Sequence, residues 1–147
     1  MIRKFESSDF EQLATVMDEG RMQELADVGL TKVFIPLKKA PYLKYFLSCH
    51  IYVAEVDDKV VGFIGFKGRR IEFLYVVEEK QGKGIGSQLM ETALEKMSRP
   101  IELSVFTENQ KAKMLYKKYG FITTKTVTEK WSEDIPIEFS EDTMILR

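Results

Sequence analysis

The period at which apolar residues recur changes along the chain, and residues 51–77 have the shortest period. Three apolar runs of strand length lie at 51–56, 60–66 and 71–77, separated by polar turns at Asp57 and Asp58 and at Gly68. Short connections of this kind join neighbouring antiparallel strands. The pattern therefore predicts a three-stranded antiparallel meander.

A helical period follows the meander. Four apolar residues share one face of a predicted helix over residues 87–98: Leu89, Ala93, Leu94 and Met97. Pro100 ends this helix, and an apolar run at 101–106 follows it. Because right-handed crossovers are strongly preferred, we expect 101–106 to be a strand parallel to the third strand of the meander.

A second helix of the same half begins at Asn109, a residue that favours the N-cap position. An apolar stripe at helical spacing continues to Gly120, which can end the helix: Ala112, Leu115, Tyr116 and Tyr119.

The amino-terminal third gives weaker signals. Ser8 and Glu11 have the spacing of a capping box, and Gly20 can end the helix that they begin. A short helix is expected at 22–28, and another from Pro41, with three residues facing inward: Leu43, Phe46 and Leu47.

Further strands at 2–5, 121–130 and 143–146 complete the predicted sheet. The fold class is α/β, with a mixed, mostly antiparallel central sheet flanked by helices. A chain of 147 residues that is 44% hydrophobic can bury one sizeable core, and no linker or repeat divides it. We expect a single domain over residues 1–147.

Composition excludes several classes of function. A net charge of −1, from 22 basic and 23 acidic residues, gives no general attraction for nucleic acid or an anionic membrane. One cysteine, Cys49, and one histidine, His50, leave no disulfide framework and too few ligands for a structural zinc site, so no metal is expected. No apolar run is long enough to target or span a membrane, and a reducing cytoplasm fits best.

Three glycines stand in five positions between the third strand of the meander and the next helix. Gly82, Gly84 and Gly86 leave backbone N–H groups unshielded at the start of a helix, where phosphate groups bind. The G-x-G-x-G spacing is neither that of a dinucleotide-binding fold nor that of a P-loop. Lys80 and Lys83 favour an anion site, and the alternative is a plain connection with solvated lysines.

The turn and the second helix together are more specific. Gln81-x-x-Gly84-x-Gly86 resembles the pyrophosphate-binding motif (Q/R-x-x-G-x-G/A) of the GNAT superfamily of acetyl-CoA-dependent N-acetyltransferases. Asn109 followed seven residues later by Tyr116 resembles that family's asparagine and tyrosine-bearing helix. The resemblance covers residues 60–121 by motif. Glutamine at position 81 departs mildly from the commoner arginine.

The resemblance implies a site for acetyl-CoA. The pyrophosphate would lie on the backbone of residues 82–87, and the pantetheine arm would pair with the third meander strand, which splays from its parallel neighbour in this family. The residues implied in cofactor binding are Leu74, Tyr75, Val76, Gln81, Gly82, Lys83, Gly84, Ile85, Gly86, Ser87, Asn109 and Lys113.

Two catalytic roles are implied. An alkylamine has a pKa of about 10.4, so a base or an ordered water must take its proton before it attacks the thioester. Glu72 is the first candidate, since many family members carry an acidic residue there, and Glu102 is the second. The alternative is that Glu72 only faces solvent near Arg69 and Arg70.

The leaving thiolate needs a proton donor or a hydrogen bond. Tyr116 matches the family's helical tyrosine and could supply it. The alternative is that Tyr116, which also lies on the apolar stripe, only packs in the core.

The function implied is N-acetyl transfer from acetyl-CoA to a primary amine of a small molecule or a peptide, by direct attack in a ternary complex. The alternatives are a non-catalytic acyl-CoA-binding sensor and, with less support, a nucleotide-binding enzyme of another class. Tyr42, Tyr45 and Phe46 could line the acceptor cleft or belong to the core. The oligomeric state stays open, a homodimer included.

Overall fold

Seven strands form one sheet in the computed structural model, which describes residues 1–147. The strands are β1 (Ile2–Lys4), β2 (His50–Val56), β3 (Lys59–Lys67), β4 (Arg70–Val76), β5 (Ile101–Phe106), β6 (Ile122–Lys130) and β7 (Glu138–Leu146). Their order across the sheet is β1-β2-β3-β4-β5-β7-β6. The helices are α1 (Phe10–Asp27), α2 (Leu43–Ser48), α3 (Ile85–Lys96) and α4 (Gln110–Lys118).

The meander of β2, β3 and β4 is confirmed, and so is the mixed, mostly antiparallel sheet. Asp57 and Asp58 both have positive φ, 51° and 63°, as a two-residue hairpin turn that matches strand twist requires. All neighbouring strands are antiparallel except β4 and β5.

The parallel pair β4 and β5 stays together only at one end. Arg70 faces Glu102, and the Glu102 N–H donates to the Arg69 carbonyl at 2.8 Å. No further residues of the two strands are paired, so the strands splay beyond this point. The splay opens the sheet at its centre and leaves backbone groups of β4 free for a ligand.

Helices cover both faces of the sheet. One core cluster joins α3 and α4 to the sheet, and a second joins α1 and α2 to the opposite face. The largest fully buried side chains of the second cluster include Phe46 and Phe63, whose rings meet edge to face at 5.8 Å. No helix has the length and apolar character needed to cross a membrane.

The predicted break at Gly20 is wrong, because α1 continues through it to Asp27. A Cβ atom at Gly20 would lie 2.4 Å from Cδ1 of Tyr75 on β4. The glycine therefore allows the helix to pack closely on that ring and does not end the helix.

The predicted capping box of Ser8 and Glu11 is also wrong. The helix entry is held by Asp9, whose Oδ2 accepts the Glu6 N–H at 2.8 Å and whose two oxygens accept Arg3 at 2.8 and 2.9 Å. Arg3 comes from β1, so a contact between two elements fixes the start of α1.

Two further boundaries differ in detail. Phe46 of α2 is buried as predicted, but Leu47 is 50% exposed, since successive helical residues point about 100° apart and this short helix buries one side only. Helix α3 begins at Ile85, two residues early, because Gly84 in the left-handed conformation occupies its N-cap. The Asn109 cap is confirmed, since its Oδ1 accepts the Ala112 N–H at 3.2 Å.

Candidate active site

A cavity of about 860 Å³ occupies the opening between β4 and β5. Its lining comes from both faces of the sheet, with the glycine turn and α4 on one side and α1, β7 and residues near α2 on the other. Nine of the predicted cofactor residues line it: Leu74, Tyr75, Val76, Gln81, Gly82, Gly84, Gly86, Ser87 and Asn109. A ligand in this cavity can therefore pass through the sheet.

The glycine turn is open to a ligand. Gly82 and Gly84 have φ of 76° and 83°, and a Cβ at either position would have no atom within 4 Å. Backbone N–H groups in such a turn, followed by the first turn of a helix, form an anion-binding concavity. The turn therefore fits a pyrophosphate group.

Gln81 connects this turn to its surroundings. Its Nε2 donates to the Val76 carbonyl at 2.9 Å, and its Oε1 accepts Lys111 Nζ at 2.5 Å. Gln81 lacks the charge of arginine, but it holds the ammonium group of Lys111 beside the glycine turn. Positive charge is thus supplied from α4.

Tyr116 of α4 reaches the cavity from the core. The residue is only 8% exposed and packs against Phe121, with ring centroids 6.1 Å apart. Its hydroxyl has no hydrogen-bond partner in the protein, and the residue lines the cavity. Burial is the main cause that raises the pKa of the phenol, and the charge of Glu24 raises it further. The phenol therefore stays protonated at neutral pH.

Comparison with known proteins agrees with this geometry. A family profile described as "Acetyltransferase (GNAT) domain" matches residues 48–123, slightly more than half of the chain. This chain belongs to the GNAT acetyltransferase family.

Relatives of this GNAT protein are known by sequence and by structure. It is 35% identical over 75 residues to the peptidyl-lysine N-acetyltransferase YjaB of Salmonella typhimurium, covering 50% of this chain and 51% of that protein. The chain thus spans about half the length of that curated relative.

Two solved structures share the fold. A GCN5-related N-acetyltransferase from Rhodopseudomonas palustris aligns with TM-score 0.79 at 16% identity, over 97% of this chain and 93% of that one. The putative acetyltransferase yncA of Salmonella typhimurium, solved with its cofactor acetyl-CoA, aligns with TM-score 0.76 at 16% identity, over 100% and 92%.

Glu72 of this GNAT protein lines the cavity at a bulge in β4. Gly65 and Phe66 of β3 face Phe73 and Ile71, so Glu72 is the extra residue between them. Bulges of this kind redirect a side chain and are common beside active sites. Glu72 does not simply face solvent, since its side chain is 17% exposed and bonded to Arg70 Nε at 2.6 Å.

Glu102, the second candidate base, lies outside the cavity. Its carboxylate accepts Arg70 Nη1 at 2.6 Å, and its side chain is 47% exposed. Glu102 lies at the paired end of β4 and β5, next to Arg70, and is the weaker candidate base.

Lys113 does not reach the cavity and requires a correction. Its Nζ lies 2.7 Å from Asp142 Oδ2, and the two side chains are 10% and 3% exposed. Asp142 also accepts the hydroxyls of Thr107 and Thr126 at 2.7 and 2.9 Å. Burial opposes ionisation of Asp142, but these hydrogen bonds outweigh it and lower its pKa to about 2. We therefore remove Lys113 from the candidate cofactor residues.

Two other predicted cofactor side chains also lie outside the cavity. Lys83 is exposed, whereas Ile85 belongs to the core beneath the turn. The Ile85 side chain is therefore not a ligand contact, whereas a contact of Lys83 with the cofactor stays a prediction.

A polar pair on α1 was not predicted from the sequence. Arg21 Nη1 donates to Glu24 Oε1 at 2.7 Å, and the Tyr75 hydroxyl donates to the same oxygen at 3.0 Å. Both α1 residues line the cavity. Their i, i+3 spacing was visible in the sequence, but the predicted helix break at Gly20 hid the shared face.

A second group lies on this side of the cavity. Glu141 of β7 lines the cavity beside Phe139, which packs on Trp131 with ring centroids 5.5 Å apart. Burial is the main cause that raises the pKa of Glu141, and the charge of Glu129 is the second. Of the aromatic residues near α2, Tyr42 and Tyr45 line the cavity.

Proposed function

We propose that this protein is an N-acetyltransferase that moves the acetyl group of acetyl-CoA directly to a primary amine. The observation that carries the proposal is the single cavity through the splay of β4 and β5. It brings the open glycine turn, an unpartnered tyrosine hydroxyl and several carboxylates to one space. Family membership supports the same reaction.

The residues present fit acetyl-CoA, which would supply the activated acetyl thioester. The N–H groups of residues 82–87 and the ammonium group of Lys111 suit its pyrophosphate. The unpaired edge of β4 at residues 74–76 suits the amide groups of the pantetheine arm. A backbone N–H near Val76 would stabilise the oxyanion that forms on the thioester carbonyl.

The chemical step in this proposal uses two side chains. Glu72, through an ordered water, takes a proton from the amine, since its bulge directs it into the cavity. The Tyr116 hydroxyl donates to the departing sulfur. Its raised pKa keeps the phenol protonated, so Tyr116 would stabilise the departing thiolate by a hydrogen bond, and the thiolate would take its proton from solvent.

The acceptor is proposed as a primary amine of a small molecule or a peptide. The name of the Salmonella relative, a peptidyl-lysine N-acetyltransferase, supports a lysine-like amine. We also place the reaction in a reducing cytoplasm. The single cysteine supports this, since Cys49 is free and has no other cysteine in the chain to form a disulfide with.

The test is release of free thiol from acetyl-CoA across a panel of amines, compared between Tyr116→Phe and the wild type. We expect turnover with at least one amine and a fall in kcat of about 100-fold in the variant, with acetyl-CoA affinity retained. Tyr52→Phe is the matched control, because Tyr52 is half-buried, its ring stacks on Phe66 and it does not line the cavity.

A different outcome would favour the binding-module alternative. Acetyl-CoA that raises the melting temperature but releases no thiol with polyamines, amino acids, aminoglycosides or peptides would contradict transfer. Equal kcat values in the Tyr116→Phe and wild-type proteins would contradict the role of the hydroxyl.

A further inference from the structure

We propose that Glu24 is the acceptor-binding residue and that it holds the amine as a primary alkylammonium ion. This inference rests on the proposed transferase function, because it assigns the acceptor half of the same cavity. Glu24 comes from α1, outside every motif of the sequence that resembles the family.

The two oxygens of Glu24 have different environments. Oε1 accepts both protein hydrogen bonds, from Arg21 at 2.7 Å and from Tyr75 at 3.0 Å. Oε2 has no protein partner. Every fully buried side-chain oxygen in the structure has a hydrogen-bond partner, so Oε2 must be accessible to solvent. The side chain is 22% exposed and lines the cavity. The carboxylate is therefore fixed through one oxygen and offers the other to a ligand.

The position of Glu24 places this oxygen near the reacting end of the cavity. Tyr75, its hydrogen-bond donor, precedes Val76, the residue beside which the thioester is proposed to lie. Burial is the main cause that raises the pKa of both Tyr116 and Tyr75, and the charge of Glu24 is the second cause for each. The charge of Glu72 acts instead on Tyr45 and Cys49, at the α2 end. Glu24, Tyr75 and Tyr116 all line the same cavity.

The charges around Glu24 favour a cation. On the acceptor side, four carboxylates line the cavity with only two arginines: Glu24, Asp27, Glu72, Glu141, Arg21 and Arg70. Arg21 and Arg70 bond to Glu24 and Glu72, which leaves an excess negative charge of two. This excess lies on Asp27, which is exposed, and on Glu141, which is half-buried, and it favours a cationic acceptor over an anionic one.

The same contacts suit Glu24 to binding. Arg21 and Tyr75 hold one oxygen of the carboxylate in place, so the other oxygen can contact the ammonium group. The expected consequence is an effect on KM for charged amines, with a smaller effect on kcat.

The experiment compares Glu24→Gln with the wild type. Two alkylammonium acceptors, 1-aminobutane and a short lysine peptide, are assayed beside hydroxylamine, which is largely neutral at pH 8. We expect kcat/KM to fall about 10- to 100-fold for the alkylammonium acceptors, mainly through KM, and to change less than 3-fold for hydroxylamine. The acceptor with the higher kcat/KM decides between a free amine and a protein-bound lysine.

Glu19→Gln is the matched control, since Glu19 lies on the same helix, is exposed and does not line this cavity. It removes the same charge and should leave all three acceptors unchanged. Tyr75→Phe removes one donor to Glu24 and should raise KM for the alkylammonium acceptors about 3-fold.

Calorimetry of 1-aminobutane binding to the coenzyme A complex separates this inference from the proposed function. If 1-aminobutane binds the wild type but not Glu24→Gln, the inference is supported. Should no thiol be released in that case, only the proposed acetyl transfer fails. No binding to wild type, equal binding in both proteins, or equal losses with hydroxylamine and the alkylammonium acceptors would overturn the inference.

Discussion

Replacement of Gly20 by alanine tests the contact between α1 and β4. In the interior of an exposed helix this change stabilises a protein by about 1 kcal/mol, because glycine loses more backbone entropy on folding. Here the new Cβ would lie 2.4, 3.1 and 3.2 Å from three atoms of the Tyr75 ring. Such overpacking costs roughly 1–3 kcal/mol.

The ring has little freedom to move away from the added methyl group. Its hydroxyl is bonded to Glu24, and its other neighbours include Phe63, at 5.8 Å between ring centroids. We therefore expect the upper part of the overpacking range to apply. Gly20→Ala should reduce the free energy of unfolding by about 1–2 kcal/mol, which lowers the melting temperature by roughly 3–6 °C at this chain length.

Urea unfolding of a double-mutant cycle provides the assay. With Tyr75→Leu already in place the ring is absent, so Gly20→Ala should become neutral or stabilising, with an interaction energy of about 2 kcal/mol. A rise in stability when Gly20→Ala is made in the wild type would refute the close approach of the helix to the ring.

Three remaining predictions concern the glycine turn and the buried ion pair. Gly84 has a φ of 83° and open space around it, so Gly84→Ala should cost about 1 kcal/mol of stability through backbone strain. The same variant should weaken coenzyme A binding at least 10-fold in calorimetry. Unchanged affinity would argue against the anion site. Lys113→Met leaves Asp142 buried without its counter-ion and should cost about 3–5 kcal/mol in urea unfolding, whereas a loss below 1 kcal/mol would contradict its burial. Asp142 has a pKa of about 2 in the folded protein and 3.8 in the unfolded chain, so its ionised form stabilises the fold above pH 4. This stabilisation is lost as the pH falls toward 2. Stability should thus fall less steeply in Asp142→Asn than in wild type over that range.

The sequence predicted best those features that local chemistry determines. The hairpin at Asp57 and Asp58, the Asn109 cap and the strand at 101–106 each depend on residues within a few positions of one another. The glycine turn belongs to the same group, because positive φ at Gly82 and Gly84 is a local requirement.

Features that depend on distant partners were missed or misread. Gly20 appeared to end a helix because Tyr75, the reason for the glycine, lies 55 positions later and reaches it only in the folded chain. Lys113 appeared to be a free cation because Asp142 reaches it from β7. Glu24 gave no signal, since its orientation depends on the Tyr75 hydroxyl of the facing strand β4.

Titration of ¹⁵N-labelled protein with coenzyme A, followed by backbone amide shifts, tests the central claim most directly. If the cofactor lies on the glycine turn and along the free edge of β4, the largest shifts should occur at residues 82–87 and 74–76. The amides of β6 and of Lys113 should change little. Binding that shifts other amides and leaves these two segments unchanged would contradict the proposed cofactor site.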